Sequence, residues 1–338
     1  MCGISGIINY RSKPNPETVH HMNDEIKYRG PDHSAVRSNS FFSVGIVRLS
    51  IIDLSDKSNQ PFIDQAYGLT IIFNGEIYNF KELKNKYFSN INFKSSGDGE
   101  VLIHLYKKFG IDFVNKIKGM FSICICDEKI KKVYLIRDRF GIKPLYFHFN
   151  KNLDELTFCS EISGIFKNQK IKKELNYLEA YNVLHYGLID SNDNTWFKNI
   201  HQLLPSTIIE FSPSGGLKQI KYYNLESKID EENDKNSLTF NSYLSELKNK
   251  IINSFQQHTT FDVDGGIHLS GGSDSAVMAA LTSVTNKKLN TYTFDYEHKQ
   301  YSEVESAKKL ALSANIPNET SILMDGELES NLFKVINN

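Results

Sequence analysis

The sequence predicts an α+β domain followed by an α/β domain built on a parallel sheet. Residues 1 to about 205 carry short β-like runs in series, interrupted by only a few helical segments, which is the order of an α+β layering. Beyond about 239 the rhythm changes to strand, helix, strand, helix, the pattern of crossover connections in a parallel sheet. Between them, 206–238 contains "SPSGGLKQIKYYNLESKIDEENDKNS", polar and charged, which reads as a short hairpin and then a linker. A length of 338 residues suits about two such domains.

Each element follows from local pattern. In the first domain "GISGIIN", "FFSVGIVRLSIID", "LTIIFNGEIY", "MFSICICDE", "KKVYLIRD", "PLYFHFN" and "ELTFCSE" are rich in Ile, Val, Phe and Tyr. Gly, Asn, Asp or Pro bounds each of them, so they predict strands. Helices are predicted in "PETVHHMNDEIKYR", "NFKELKNKYF", "GEVLIHLYKKFG" and "LNYLEAYNVLHYG". In the third of these Val101, Leu102, Leu105 and Phe109 share a face and leave Lys107 and Lys108 outside. His20 and His21 lie on the first, with no third metal ligand in view, and predict a solvated or half-buried face. In the second domain "SYLSELKNKIINSFQQHT", "DSAVMAALTSVT" and "SEVESAKKLALSAN" predict helices, and "GIHLS", "LNTYTFDY" and "ETSILM" strands.

Composition narrows the partners. A formal net charge of -1 and the lack of a long Lys/Arg run argue against nucleic acid. No apolar stretch reaches the roughly 18 to 20 residues of a membrane helix, and the N-terminus lacks the pattern of a signal peptide. Four scattered cysteines do not make a disulfide framework. Cys124 and Cys126 alternate along one strand face without ligand partners, as small core hydrophobes do. A cytoplasmic protein without a membrane partner is expected.

Two places carry chemistry. Cys2 follows the initiator methionine, and its small side chain suits removal of Met1, which would leave a thiol beside an α-amine. Near residue 270 a buried-type strand runs into Ser270-Gly271-Gly272-Ser273-Asp274-Ser275 and a helix follows at once. Glycines permit a tight turn that presents N–H groups, and the helix N-terminus favours anionic oxygens. Ser270 and Ser275 add hydroxyls, and Asp274 can cap the helix or hold a Mg²⁺ bound to phosphate. No Gly-Lys-Ser/Thr follows, so this is not a Walker loop. It resembles the pyrophosphate-binding loop of the ATP pyrophosphatase enzymes, which cleave ATP into AMP and pyrophosphate.

Taken in order, "MCGISGI", "YRGPD" (28–32), "RLSIID" (48–53), "NGEIYN" (74–79), "SGDGE" (96–100), "GMFSICICD" and "RDRFGIKPLY" (137–146) resemble the glutamine amidotransferase half of glutamine-hydrolysing asparagine synthetases. The 270–275 loop resembles their synthetase half. Tyr28 departs from the family, which usually has His before Arg-Gly-Pro-Asp.

The resemblance implies a four-layer αββα N-terminal-nucleophile sandwich over 1–205, a hairpin and linker over 206–238, and the first part of an ATP pyrophosphatase-like synthetase domain over 239–338. It implies that Cys2 attacks the side-chain amide of glutamine and that its α-amine, near pKa 7.7 to 8.0, takes the thiol proton. It further implies that the Asn74 side-chain amide and the Gly75 N–H hold the oxyanion. Arg48 would bind the glutamine α-carboxylate beside Leu49, Ser50, Ile51 and Ile52, and Asp98 with Glu76 the α-ammonium. ATP would lie on Leu269 and Ser270 to Ser275, with Phe294 by the adenine and Mg²⁺ at Asp274. No organic prosthetic group is implied, and a homodimer is left open.

The implied reaction is amidation of aspartate to asparagine by ammonia from glutamine, with ATP converted to AMP and pyrophosphate. The family continues through a longer parallel sheet, with a second glycine- and acid-rich segment and a catalytic lysine that are not found after Ser275. The expected alternatives are therefore a truncated relative acting only as a glutaminase, or amidation of another carboxylate such as a sugar acid.

Overall fold

The computed structural model describes residues 1–187, 192–233, 239–282, 289–296, 302–324, 326–327 and 330–332. The chain divides into two compact units, Met1–Asn236 and Ser237–Asn338.

The first unit is built from two six-stranded sheets. The first sheet takes β1 (Gly3–Asn9), β2 (His33–Ser38), β3 (Phe42–Arg48), β8 (Tyr146–Asn150), β9 (Glu155–Cys159) and β10 (His201–Gln202), in the order β10-β8-β9-β1-β3-β2. The second takes β4 (Phe62–Asp64), β5 (Leu69–Ile77), β6 (Gly119–Asp127), β7 (Lys132–Arg137), β11 (Thr207–Ser212) and β12 (Gly216–Lys221), in the order β12-β11-β7-β6-β5-β4. Every strand pairing in both is antiparallel. Helices α1 (Pro16–Glu25), α2 (Phe80–Phe88), α3 (Val101–Phe109), α4 (Ile162–Ile165), α5 (Tyr177–Tyr186) and α6 (Leu225–Asn233) complete the unit.

Side-chain alternation explains the layering. Ile4 and Ile8 of β1, Phe42, Val44 and Ile46 of β3, Ile72 of β5, and Cys124 and Cys126 of β6 meet between the sheets in one fully buried cluster. On the outer face of the first sheet, Ile7 and Val47 pack on Val19, Met22 and Ile26, in α1 and just beyond it. On the outer face of the second, Ile71, Phe73 and Ile123 pack on Leu83 of α2 and Leu102 and Leu105 of α3. The result is helix, sheet, sheet, helix, the layering implied by the resemblance. Each fully buried Ile, Leu or Phe contributes about 1.5–3 kcal/mol of apolar burial. His20 and His21 are exposed on α1.

Three local differences from the sequence expectation have physical causes. The run "FFSVGIVRLSIID" ends as a strand at Arg48, and Leu49 to Asp53 peel away from the sheet into the pocket described below. Asp53 turns that segment with a left-handed φ of 55°. The hairpin at 207–221 is not a connector outside the first domain. It completes the second sheet, Ile208 to Phe211 pairing with Val133 to Ile136. Its partner strand β12 has a mostly exposed face, hence its polar sequence. Finally, Leu225–Asn233 is helical, with the Asn224 side chain accepting from the Glu226 N–H at 3.0 Å as an N-cap does.

The second unit begins with α7 (Phe240–His258) and continues with β13 (Gly265–His268), α8 (Ser273–Leu281), β14 (Leu289–Tyr296), α9 (Val304–Ala314) and β15 (Asn318–Leu323). The three strands pair in parallel in the order β13-β14-β15. Leu269, Ala279, Ala307 and Ala311 form its buried centre. No helix among the described residues is long and apolar enough to cross a membrane.

Candidate active site

One end of the gap between the two sheets collects the polar groups. Cys2 is in phase with Ile4 and Ile8, Arg48 with Val44 and Ile46, and Asn74 and Glu76 with Ile72, so alternation aims all four toward the inter-sheet space. Pairing of Gly3 with Val47 sets the chain start beside Arg48 and Leu49. A pocket opens there, lined by Cys2, Arg48, Leu49, Ile51, Ile52, Gly75, Glu76 and Asp98. Ser58, Gln60, Phe62, Phe73 and Gly99 complete the lining and were not anticipated. Asn74 is not among the lining residues, and neither is Ser50. The Ser50 N–H is donated to Asp32 Oδ2 at 2.7 Å.

Cys2 is held by its neighbours. Cys2 Sγ accepts from the Leu49 N–H at 3.3 Å, and its carbonyl accepts from Arg29 Nε at 3.0 Å. Arg29 Nη1 in turn pairs with Glu161 at 2.5 Å, and the Tyr28 hydroxyl donates to the same carboxylate. Tyr28 and Arg29 thus act as structural braces for the chain start. Burial raises the Cys2 pKa above the ordinary thiol value, although the Leu49 N–H works against the rise. A thiol so placed needs a proton acceptor beside it. Met1 is 56% exposed, within reach of a processing aminopeptidase.

Asn74 is 1% exposed, yet its amide nitrogen has no hydrogen-bond partner among the described residues. Burying an unpaired donor costs roughly 1–3 kcal/mol, a cost that a ligand oxygen would relieve. The next residue, Gly75, adopts a φ of 153°, and a Cβ there would lie 2.0 Å from the Met120 carbonyl oxygen. Only glycine fits this backbone.

Arg48 is 5% exposed and lines the pocket, but its guanidinium also ties down the 52–59 loop. Nη1 donates to the Ser55 carbonyl at 3.3 Å and to Asn59 Oδ1 at 2.7 Å, and Nη2 to the Ile52 and Asp53 carbonyls at 3.2 and 2.5 Å. Asp98 is held by the Ile77 N–H at 2.7 Å. Burial, reinforced by the neighbouring Asp98 charge, pushes Glu76 up to about 8. Asp98 is pushed up to about 6 by burial, against the backbone N–H bonds that favour its ion. Two such acids facing one pocket resist carrying two negative charges at once.

In the second unit the strand–loop–helix context of 270–275 is present, with Gly272 as N-cap of α8. Ser270 and Ser275 hydroxyls lie 3.0 Å apart, the Gly272 N–H donates to Ser270 Oγ at 3.3 Å, and Ser273 Oγ to Asp274 Oδ1 at 3.4 Å. The Gly271 N–H meets Glu303 Oε2 at 3.4 Å. The loop is exposed and its first-turn amides suit an anion. Leu269 lies beneath it, 2% exposed, with its N–H donated to the Tyr292 carbonyl and its own carbonyl accepting from Thr293 Oγ. Phe294 is 65% exposed and stacks on His268 with ring centroids 5.2 Å apart, an open aromatic face of the kind a base would cover. No group of three or more His, Cys, Asp or Glu among the described residues could hold a metal unaided. A Mg²⁺ at Asp274 would need phosphate oxygens for the rest of its shell, its usual manner of binding.

A four-layer sandwich whose first strand carries a cysteine into the pocket defines the class of N-terminal-nucleophile amidotransferases. Family models sharpen this: one for the glutamine amidotransferase domain matches residues 1–223, and one for asparagine synthase matches 246–337. The chain belongs to the glutamine amidotransferase domain family. It is 34% identical over 341 aligned positions to Asparagine synthetase [glutamine-hydrolyzing] 2 of Bacillus subtilis, covering 97% of this chain and 45% of that protein. A putative asparagine synthetase of Methanocaldococcus jannaschii is 32% identical, over 88% of this chain and 60% of that one. Amidase chry2 of Gibberella zeae is 28% identical, over 84% and 43%. The chain thus spans about half the length of the curated relatives it matches.

Proposed function

We propose that the first unit hydrolyses glutamine at Cys2 and that the ammonia amidates an ATP-activated carboxylate, aspartate being the first choice. The observation that carries the glutaminase step is the buried, unpartnered Asn74 amide on the strand that carries Gly75 and Glu76 into the Cys2 pocket. With Met1 removed, the Cys2 α-amine takes the thiol proton and Sγ attacks the glutamine side-chain carbon. The oxyanion forms against Asn74 Nδ2 and the Gly75 N–H. The C–N bond breaks as the amine returns its proton to the leaving group, so ammonia departs and a γ-glutamyl thioester remains for water to hydrolyse. Arg48 supplies positive charge for the α-carboxylate, and Asp98 with Glu76 receives the α-ammonium.

The acid pair makes glutamine binding pH-dependent. An empty pocket keeps a proton on Glu76 below about pH 8, whereas a bound ammonium favours the ion. Binding therefore releases a proton, and affinity rises with pH up to the Glu76 pKa, by up to tenfold per unit. Calorimetry on the Cys2→Ala chain in buffers of different ionisation enthalpy is expected to record that release between pH 6 and 8. An affinity flat across this range, with no proton released, would remove the acid pair from the ammonium site.

In the second unit the 270–275 loop would hold the ATP phosphates, Asp274 a Mg²⁺ shared with them, and Phe294 the adenine. Incubation with glutamine, ATP and aspartate is expected to release AMP and pyrophosphate together with asparagine. Glutamate without AMP would defeat the ligase assignment and favour a chain that is a glutaminase alone. The similarity to an amidase over most of the chain favours keeping a different carboxylate acceptor as the second reading, and AMP release with an acceptor other than aspartate would support it.

A further inference from the structure

Lys143 is a buried cation for which the glutaminase chemistry above has no task. It is 5% exposed in the loop after β7. Its backbone is pinned on both sides: its N–H donates to Asp138 Oδ2 at 3.0 Å, and its carbonyl accepts from Arg137 Nε at 2.9 Å. The side chain is thereby aimed at the chain start, with Nζ 3.2 Å from Met1 Sδ. It forms no ion pair with a carboxylate among the described residues. A buried ammonium without a direct counter-ion is costly, so its retention at this spot calls for an electrostatic reason. The charges facing it are Glu76, Cys2, Arg29 and Asp138, and those facing the amine of Met1, before its removal, are Cys2, Arg29, Lys143 and Asp32. Burial lowers the Lys143 pKa, while Glu76 and Cys2 favour its charged form. In the unprocessed chain burial also lowers the pKa of the Met1 amine, one residue before Cys2, and Arg29 and Lys143 reinforce this against Cys2 and Asp32.

We propose that Lys143 is a positioning residue for the N-terminal nucleophile: its ammonium disfavours a second positive charge on the Cys2 α-amine and so keeps that amine able to take the thiol proton. The inference rests on the glutaminase function proposed above. Arg29 shares the duty, but it also pairs with Glu161 and holds the Cys2 carbonyl, so its removal would disturb the chain start itself. Lys143 has no such partner among the described residues, and its removal is the cleaner perturbation.

The test compares Lys143→Met and Lys143→Arg with the unmodified full chain, Met1 removal being verified by intact mass. In kcat/KM for glutamine, the acidic limb of Lys143→Met is expected to move up by about one pH unit. That is about a tenfold loss at pH 6.5, shrinking to within about twofold at pH 9. Lys143→Arg should follow the unmodified enzyme. A second measurement needs no glutaminase activity: the pH dependence of cyanate carbamylation of the α-amine, in Cys2→Ala with and without Lys143→Met. It should show the same displacement. Should Lys143→Met not fold, Lys143→Gln serves the same comparison.

An unmoved limb with an unmoved amine titration overturns the proposal, as does equal loss in the Met and Arg variants at all pH values. Retention of Met1 also overturns it, whether in the unmodified chain or in the variant alone. A displaced amine titration in a chain that makes no glutamate would leave the role of Lys143 standing and the glutaminase assignment lost.

Discussion

Cys2→Ala is expected to lower glutamine hydrolysis by at least about 10³-fold, to the level of the remaining pocket contacts. The thiol is the only group at that position able to form the thioester, and alanine retains the α-amine without a nucleophile. The fold should survive, because the hydrogen bonds of Sγ are confined to the Leu49 backbone and the clamp on the Cys2 carbonyl comes from Arg29. The unfolding midpoint should thus stay close to that of the unmodified protein. Any amidation driven by added ammonia should persist, since it bypasses the first unit. Glutamate release at an undiminished rate would place the nucleophile elsewhere.

Asn74→Ala is expected to reduce kcat by about 10²- to 10³-fold, roughly 3 kcal/mol of transition-state stabilisation, with a much smaller change in KM. Its effect on stability should run the other way from that of an ordinary core polar residue. The amide nitrogen has no partner in the folded chain, so truncation removes an unsatisfied donor and breaks no hydrogen bond at that atom. A small cavity term offsets part of the gain. Catalysis that collapses while the unfolding midpoint holds within a few degrees is the signature of a group kept unsatisfied for the substrate. A kcat within fivefold of the unmodified enzyme would rule Asn74 out as an oxyanion donor.

The groups legible in the sequence share one property: each sits in a contiguous run whose local pattern carries it. Cys2 heads a β-like run, Asn74 and Gly75 lie within another, and Ser270 to Ser275 join a strand to a helix. Gln60, Phe62 and Lys143 escaped because they reach the same pocket or chain start from other loops and strands, and only sheet pairing and layer packing bring them in. Gln60 offered no local clue, although its side chain clasps both backbone groups of Phe73 at 2.7 and 3.0 Å. Lys143 lay inside "RDRFGIKPLY", where an unpaired charge cannot be told from a surface one before burial is known. The braced role of Arg48 was hidden likewise, because a guanidinium that both lines a pocket and ties a loop reads in sequence as a single charge. The four layers were legible only through the resemblance, since alternation predicts strands but not which faces meet.

The hairpin at 207–221 has a consequence for where the glutaminase unit can be cut. It covers β7 along its length, and Tyr222 extends the closure by donating its hydroxyl to the Arg137 carbonyl at 2.8 Å. A fragment ended at residue 205 would leave Val133 to Ile136 as a naked hydrophobic rim with unpaired amides, a template for chain-to-chain β-pairing. The smallest piece that stays soluble by itself therefore runs past Tyr222, and a shorter one would be recovered as aggregate with its pocket residues all in place.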